Sequence, residues 1–357
     1  MKTYIKFLLS LFIKSFLKIF IIFFMLILII NIFEQIDFLK EVKSNLLFPI
    51  FLSLLNTPSI IFDILPFIFL VTAQVFFSYL IENNELRIFK YFGLNNIKIV
   101  KIISLFTFLL GLILVIFYYN FSSKLKNYYL EIKNSYSNDN KYLAVITENG
   151  LWIKDEINQK INIINASTVD NEFLINVLVT QFDDKYNYIQ TIQSEKVDIS
   201  STTWKISKAI VSENNRTKNS TNIILKSNFD LKKINSLFSN LSSLTLMELY
   251  QLRKSYISLN YSLVDIDSHL HKLFSYPFYL TIMTILSSII MFNVGFQKNL
   301  TFNITFGIFI SVIIYYINVF FNVLGTSEKI PVVLSIWLPL IILSIICVTS
   351  IIRLNEK

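Results

Sequence analysis

The chain has 357 residues, of which 54% are hydrophobic and 16% are charged. Soluble domains carry about 25% charged residues, so this composition is typical of a membrane protein. The formal net charge of +8 does not indicate a nucleic-acid partner, because the surplus lies beside apolar runs, at the N-terminus and in residues 82–101. Cys347 is the only cysteine, which excludes an intramolecular disulfide and a cysteine metal cluster.

Six apolar runs are long enough to cross a bilayer, which takes about 20 helical residues. They are residues 19–33, 60–81, 102–121, 273–296, 300–324 and 330–352. The long gap after the third run predicts three transmembrane helices, a central domain and three more helices. We expect Pro66, Pro277 and Pro339 to kink or start their helices and to free backbone groups that need protein neighbours.

Basic residues predict the orientation of these helices. Both termini, the loop at residues 82–101 and Lys298 fall on one face, whereas the slightly acidic loop at residues 34–43 falls on the other. Because short cytoplasmic loops are rich in lysine and arginine, both termini are predicted to be cytoplasmic. The central domain is then extracytoplasmic.

The region from residue 141 to residue 230 has the pattern of a soluble β domain. Seven short runs rich in Ile, Val and Tyr are separated by turn-forming residues. The runs are 142–147, 151–154, 161–164, 174–182, 188–192, 204–211 and 223–225. They predict an antiparallel sandwich or jelly roll. Thr245 and Glu248 then form a capping-box pattern that predicts the start of an amphipathic helix.

These elements predict three regions. Residues 1–121 form an N-terminal membrane half, residues 122–244 a jelly-roll-like β domain, and residues 245–357 an amphipathic connector with a C-terminal membrane half. The fold class is therefore an α-helical polytopic membrane protein with an inserted all-β domain.

Several catalytic motifs are absent from the sequence. None of the six glycines lies in a phosphate-binding loop, and neither a G-x-S-x-G nor an H-E-x-x-H pattern occurs. We therefore expect no ATP hydrolysis by this chain, no catalytic residue and no resident cofactor.

One polar cluster precedes the fourth apolar run. It consists of Asp265, Asp267, His269 and His271. On a helix, Asp265 faces His269 and Asp267 faces His271, and these side chains are suitable metal ligands. The alternative is a solvated helix start in the headgroup zone, which we favour because the pairs supply no converging third ligand.

Residues 82–93 predict a short helix between the second and third spans. Glu82 and Glu85 lie at its start, Lys90 lies in its last turn, and Gly93 is placed as a C′ cap. Leu86, Phe89 and Phe92 give it an apolar side. Such a helix either lies in the headgroups or docks into a groove of a partner protein as a coupling helix.

Further local patterns occur in order along nearly the whole chain. They are Phe33-Glu34-Gln35, Pro58 with Pro66, Glu85-Leu86 with Gly93, the segment Gly150-Leu151-Trp152-Ile153-Lys154-Asp155, Lys272 before Pro277, and Ile330-Pro331 with Pro339. Together with the topology, they resemble the LptF/LptG family of lipopolysaccharide-export permeases. Residues 150–155 are more similar to the LptG member.

The resemblance implies a role and a set of partners. A permease of this family lies in the bacterial inner membrane with its β domain in the periplasm and pairs with a second LptF/LptG-type permease. An LptB-type ATPase dimer binds ATP and Mg²⁺ and drives both. Lipopolysaccharide then passes through the jelly roll to an LptC/LptA-type periplasmic bridge.

The resemblance also implies site residues. Those at the ATPase contact would be Glu82, Glu85, Leu86, Arg87, Phe89, Lys90 and Gly93. Those near the lipid would be Asn31, Glu34, Gln35, Lys40, Lys43, Trp152, Trp204 and Ile206. The LptG member places lysines at the outer end of its first helix, whereas this chain has Asn31, Asp37 and Phe38 there and reaches Lys40 a turn later.

Three other interpretations compete with this one. A lipoprotein-release or FtsX-like permease usually has four spans, with its soluble domain after the first. A membrane-anchored sensor or adhesion protein would use the β domain for binding and would need no ATPase. A lipid-modifying enzyme would need an acid, base or metal constellation that the sequence lacks.

Overall fold

The computed structural model describes residues 3–39, 47–136, 151–157, 160–170, 172–213, 216–231, 234, 240–258, 262–293 and 300–355. The chain divides into two compact units. The membrane unit consists of Met1–Lys126 with Val264–Lys357, and the β unit consists of Asn127–Leu263.

The membrane unit is helical. Its helices are α1 (Thr3–Phe38), α2 (Leu47–Glu82), α3 (Glu85–Tyr91), α4 (Asn96–Ile113), α5 (Asn120–Ser135, which continues into the β unit), α7 (Val264–Asn293), α8 (Leu300–Thr326) and α9 (Val332–Asn355). A π-helical segment, Leu114–Tyr119, joins α4 to α5. Within the described ranges, six helical stretches are long and apolar enough to span a membrane. The predicted arrangement of three helices, an inserted domain and three helices is confirmed.

The helices extend beyond the predicted apolar runs. Helices α1 and α2 have 36 residues each, which corresponds to about 54 Å at 1.5 Å per residue. A hydrocarbon core is about 30 Å thick, so both helices continue into a polar environment. Outside the hydrocarbon core a helix can continue with polar side chains, because its hydrogen bonds are formed by the backbone. A prediction from hydropathy alone therefore underestimates the length of these helices.

Helices α2 and α7 form the centre of the membrane unit. In each of these helices, 72% of the residues in the most apolar stretch are buried, compared with 17% of those in α1 and in α8. Phe77 of α2 packs edge-on against Phe292 of α7, with ring centroids 5.0 Å apart. The C-terminal parts of both helices therefore lie together at the end that carries α3. We call this end the α3 end, and the opposite one the far end.

The π-helical segment places two adjacent tyrosines against neighbouring helices. The Tyr118 hydroxyl donates to the Pro58 carbonyl of α2 at 3.1 Å, and the Tyr119 hydroxyl lies 2.8 Å from Nε2 of His269 in α7. Widened helical turns of this kind often occur at functional sites. Here the segment ties the third span to both central helices.

The β unit contains one antiparallel sheet in its described part. The strands are β1 (Leu151–Ile157), β2 (Lys160–Asp170), β3 (Phe173–Phe182), β4 (Tyr188–Asp198), β5 (Thr203–Glu213) and β6 (Arg216–Lys226), and each pairs with the next. This confirms the predicted inserted β domain. The described strands form a single meander, whereas the sequence suggested about seven strands. The first of the seven predicted runs, 142–147, lies outside the described residues.

One face of the sheet is buried because the sheet curls. Ile153, Ile164, Val179 and Ile192 lie directly across from one another on β1 to β4 and are at most 3% exposed. The buried Asp155 carboxylate on β1 accepts hydrogen bonds from Ser227 Oγ at 2.8 Å and from the Asn228 backbone N–H at 3.1 Å, just after β6. The first strand therefore contacts the chain that follows the last strand, which encloses the apolar face.

Helix α6 (Leu246–Ser258) follows the sheet. The Thr245 backbone N–H donates to Glu248 Oε2 at 2.8 Å, and the Glu248 N–H donates to Thr245 Oγ1 at 3.4 Å. The predicted capping box is therefore confirmed.

Candidate functional site

Helix α3 is held between two sharp backbone turns. It begins after Asn84, which has a φ of 58°, and ends before Gly93, which has a φ of +77°. The Gly93 N–H donates to the Lys90 carbonyl at 3.0 Å, and the Leu94 N–H donates to the Phe89 carbonyl at 2.9 Å. This pair of hydrogen bonds is a Schellman motif. Gly93 is the C′ cap that the sequence predicts.

The predicted contact residues of α3 divide into a buried and an outward set. Leu86 and Phe89 are buried, and the Phe89 ring lies 6.1 Å from the Phe7 ring of α1. Glu85 is half-buried. The exposed residues are Glu82, Arg87, Lys90 and Gly93.

The apolar side of α3 differs from the predicted one. Phe92 is 81% exposed and Tyr91 is 91% exposed, so neither packs against the membrane unit. The turn at Gly93 directs Phe92 away from the side that holds Leu86 and Phe89. Sequence reasoning therefore missed an exposed aromatic pair, although its position just before the cap glycine was a usable signal.

The predicted lipid-contact residues of α1 lie at the far end and are partly buried. Asn31 is 1% exposed; its Oδ1 accepts from Asn56 Nδ2 at 3.1 Å, and its Nδ2 donates to Thr57 Oγ1 at 3.3 Å. Asn31 thus joins α1 to α2. Gln35 is buried and Glu34 is exposed. Lys40 and Lys43 lie outside the described residues.

A pocket of about 210 Å³ lies between α2, α7, α8 and α9 at the far end. Its walls include Asp63 of α2 and Lys272 of α7, whose Oδ1 and Nζ atoms are 3.7 Å apart. Both side chains are about half exposed. Asp63 lies in the apolar run 60–81 and Lys272 directly precedes the run 273–296, so this pair joins residues that no local sequence pattern connects.

The polar cluster at the start of α7 does not converge. The His269 ring faces Tyr119, whereas the His271 ring accepts a hydrogen bond from Trp337 Nε1 of α9 at 3.5 Å. Among the residues that the structure describes, no three potential ligands group around a metal position. The two histidines instead join α7 to different neighbours.

In the β unit, the three predicted lipid-contact residues lie in different environments. Trp204 and Ile206 are at most 1% exposed on the enclosed face, where Trp204 Nε1 donates to the Phe229 carbonyl at 2.8 Å. Trp152 is 55% exposed on the opposite face of the sheet.

A groove of about 630 Å³ crosses strands β3 to β6. The side chains of Leu178 and Ile210 in its lining are exposed, whereas their neighbours Val177 and Ala209 are buried. The groove therefore opens on the outer face of the sheet. The lining also contains amide and charged side chains, among them Asn176, Gln193, Glu195 and Lys208. Such a mixture suits a ligand or partner with both polar and apolar parts.

Comparison with known proteins places the chain in a family. A search of curated proteins found no match to it. The family model described as "Lipopolysaccharide export system permease LptF/LptG" matches residues 6–353. This match includes both membrane halves, helix α3 and the β unit. The chain therefore belongs to the LptF/LptG family of lipopolysaccharide export permeases.

Proposed function

We propose that this chain is one permease half of an ATP-driven lipopolysaccharide exporter and that α3 is its coupling helix. The observation that carries the proposal is the construction of α3. Its buried side anchors it to the membrane unit, while its other side presents two aromatic rings and several charges to a partner.

The anchoring allows α3 to transmit a displacement. Phe89 packs on Phe7 of α1, and α3 is joined directly to α2 through Asn83 and Asn84. The Schellman motif at Gly93 fixes the connection to α4. A force applied to α3 is therefore transmitted to three spans at once, which a loosely attached loop could not do.

The exposed surface of α3 suits a protein partner with a groove. Tyr91 and Phe92 are both more than four-fifths exposed, and aromatic anchors of this kind dominate binding energy at interfaces. Arg87 and Lys90 supply nearby positive charge, and Glu85 supplies a carboxylate. Because the chain has no phosphate-binding loop of its own, the partner that fits is the ATPase subunit, of LptB type.

The family membership and the charge pattern support an orientation. The α3 end and both termini would face the cytoplasm, and the β unit would lie in the periplasm. A second LptF/LptG-type permease would cover α1 and α8, whose apolar stretches are largely unburied within this chain. Residues 150–155 favour the LptG-like half of such a pair.

The β unit would receive the lipid and pass it to an LptC/LptA-type bridge. An amphiphile with acyl chains needs a continuous apolar surface outside the membrane. The curled sheet offers its enclosed face for the acyl chains, and the outer groove between β3 and β6 offers polar contacts. Lipid entry into the enclosed face would require the closure at Asp155 to open.

The test is to truncate the aromatic pair. Tyr91→Ala with Phe92→Ala should lower recovery of the ATPase with the permease by about 30-fold or more, since hot-spot aromatics contribute about 2 kcal/mol or more. Glu85→Ala should weaken the same contact or uncouple ATP hydrolysis from lipid release. Tyr250→Ala, which removes an exposed tyrosine of α6, is the matched control. Unchanged ATPase recovery and unchanged export in the double variant would refute the coupling role.

A further inference from the structure

The far-end pocket combines charged and apolar walls. Asp63 and Lys272 form one wall, and their half-exposed side chains place them at the opening. Val319, Ile336 and Leu340 form an apolar wall on α8 and α9. A pocket with one charged wall and one apolar wall fits an amphiphile better than a small polar solute.

The position of the pocket corresponds to a headgroup zone. Asp63 lies near one end of the apolar run 60–81, which is about 30 Å long as a helix, and Lys272 directly precedes the apolar run 273–296. Both charges therefore lie at a hydrocarbon boundary. Tyr279 and Tyr315 also line the pocket, as tyrosines do in the interfacial belt of membrane proteins.

Positive charge and hydrogen-bond donors predominate around the opening. The Asp63–Lys272 separation of 3.7 Å exceeds the 2.7–2.9 Å of a tight charge-assisted hydrogen bond, so the pair is loose. The ammonium group of Lys126 interacts electrostatically with both Asp63 and Lys272. A second anion can therefore approach Lys272 without breaking a strong contact with Asp63.

Helix α8 presents a polar stripe to the pocket. Tyr315, Asn318 and Asn322 recur at helical spacing on one face. The Asn322 Oδ1 atom accepts a hydrogen bond from Ser268 Oγ at 2.8 Å. This contact orients the amide so that its NH₂ group, which carries two donors, remains for another acceptor.

We propose that this pocket binds the phosphate of an anionic amphiphile, with Lys272 as the main contact and Asp63 as the built-in counter-ion that the phosphate displaces. The Asn322 amide supplies a donor, and the first methylenes of an acyl chain lie against Val319 and Leu340. The proposal goes beyond the export role, since membrane phospholipids and lipopolysaccharide both carry this group. It requires neither the ATPase nor the second permease.

Lipid binding to the full-length chain in nanodiscs tests the proposal, with variants that remove either the positive or the negative charge of the pair. The probes are phosphatidylglycerol, lipopolysaccharide, zwitterionic phosphatidylcholine and inorganic phosphate alone. Lys272→Gln should weaken binding of the anionic lipids about fivefold, because one lysine near a membrane surface contributes about 1 kcal/mol. Asp63→Asn should strengthen it by a similar factor. Lys272→Arg should keep binding near its original level, and Lys14→Gln, on α1, should leave it unchanged.

The outcomes separate the ligands from a purely structural ion pair. If both neutral variants lower thermal stability and leave lipid binding unchanged, Asp63 and Lys272 merely join α2 to α7 and the proposal is wrong. An equal response with phosphatidylcholine would also overturn it. A response to inorganic phosphate of the same size would assign the site to the phosphate group alone, whereas a response confined to the lipids would assign it to the whole amphiphile. Retention of the ATPase by all variants keeps this result distinct from the coupling role.

Discussion

The Tyr276 hydroxyl of α7 donates a hydrogen bond to the Phe62 carbonyl oxygen of α2. In an uninterrupted helix that carbonyl would accept from the N–H four residues later, but this position is Pro66, which has no N–H. The two rings also stack, with centroids 4.5 Å apart and planes 12° from parallel. The structure thus confirms for Pro66 that a proline within a span frees a backbone group for which another helix supplies a partner.

Tyr276→Phe isolates this hydrogen bond, because it keeps the stacked ring and removes only the donor. The Phe62 carbonyl is then left without its partner in a buried setting, and we expect the free energy of unfolding to fall by about 1–3 kcal/mol. Denaturant or thermal unfolding in a mild detergent measures the change. Tyr315→Phe, at a 54% exposed position, is the control. Equal stability of Tyr276→Phe and the original chain would show that water or another group satisfies the carbonyl.

Gly111 sets the distance between α4 and α7. A Cβ atom at this position would lie 2.8 Å from the Pro277 Cα and 3.3 Å from Leu280 Cδ1, so even alanine forces the two helices apart. We expect Gly111→Ala to lower the free energy of unfolding by about 1–3 kcal/mol, as overpacking does in other cores, and Gly111→Val to lower it more. Leu112→Ala changes the adjacent 39% exposed position and should have a smaller effect. A stabilised Gly111→Ala protein would contradict this close approach.

The features that the sequence predicts correctly are those set by local physics. The length of a hydrocarbon core defines the six spans, the missing N–H of Pro66 implies a freed carbonyl, and Gly93 ends a short helix wherever that helix lies. Other features depend on partners distant in the chain. The Asn31 side chain forms hydrogen bonds with Asn56 and Thr57 of the next helix, and no local sequence pattern reveals these partners.

Alternation within a strand also carries limited information. Trp204 and Ile206 alternate with Lys205 and Ser207, which puts the two apolar side chains on one face of β5. The alternation does not show how far the sheet curls or which side of it bears a groove. That curl depends on the contact between Asp155 and the residues after β6. Similarly, Phe92 belongs to an apolar pattern with Phe89, yet the turn at Gly93 leaves it 81% exposed. Both differences arise from the backbone course beyond the element itself.

Asp155→Ala should open the closure of the β unit. The carboxylate is completely buried, and Asn228 Nδ2 donates a third hydrogen bond to it at 2.8 Å. Hydrogen bonds to charged groups contribute about 1.5–3 kcal/mol each, so we expect a loss of about 3 kcal/mol or more. Hydrogen exchange should speed up at β1 and at residues 227–229, while exchange in α2 stays unchanged. Asp184→Ala, at an exposed position in the β3–β4 connection, is the control, and identical exchange in both variants would contradict the closing role.

The β3–β4 connection should respond to acid through Asp183. Its Oδ1 atom accepts from the N–H groups of Lys185 at 2.9 Å and Asn187 at 2.7 Å, and Asn187 Nδ2 donates to Oδ2. The hydrogen bond from the Asn187 side chain, followed by those from the backbone, lowers the pKa of Asp183 below its ordinary value. A carboxyl with a lowered pKa stabilises the folded turn above its unfolded pKa of about 3.9 and loses that contribution as the pH falls through its folded pKa.

Amide protection factors of Lys185 and Asn187 measure this contribution directly, since they correct for the intrinsic pH dependence of exchange. Protection should be constant from neutral pH down to about pH 4 and then decrease, because protonation removes the ionised acceptor. Asp183→Asn should show low protection already at neutral pH and little further change in acid, whereas Asp184→Asn should behave like the original chain. Protection that rises as the pH falls below about 4 would reverse the sign expected for a carboxyl stabilised in its ionised form.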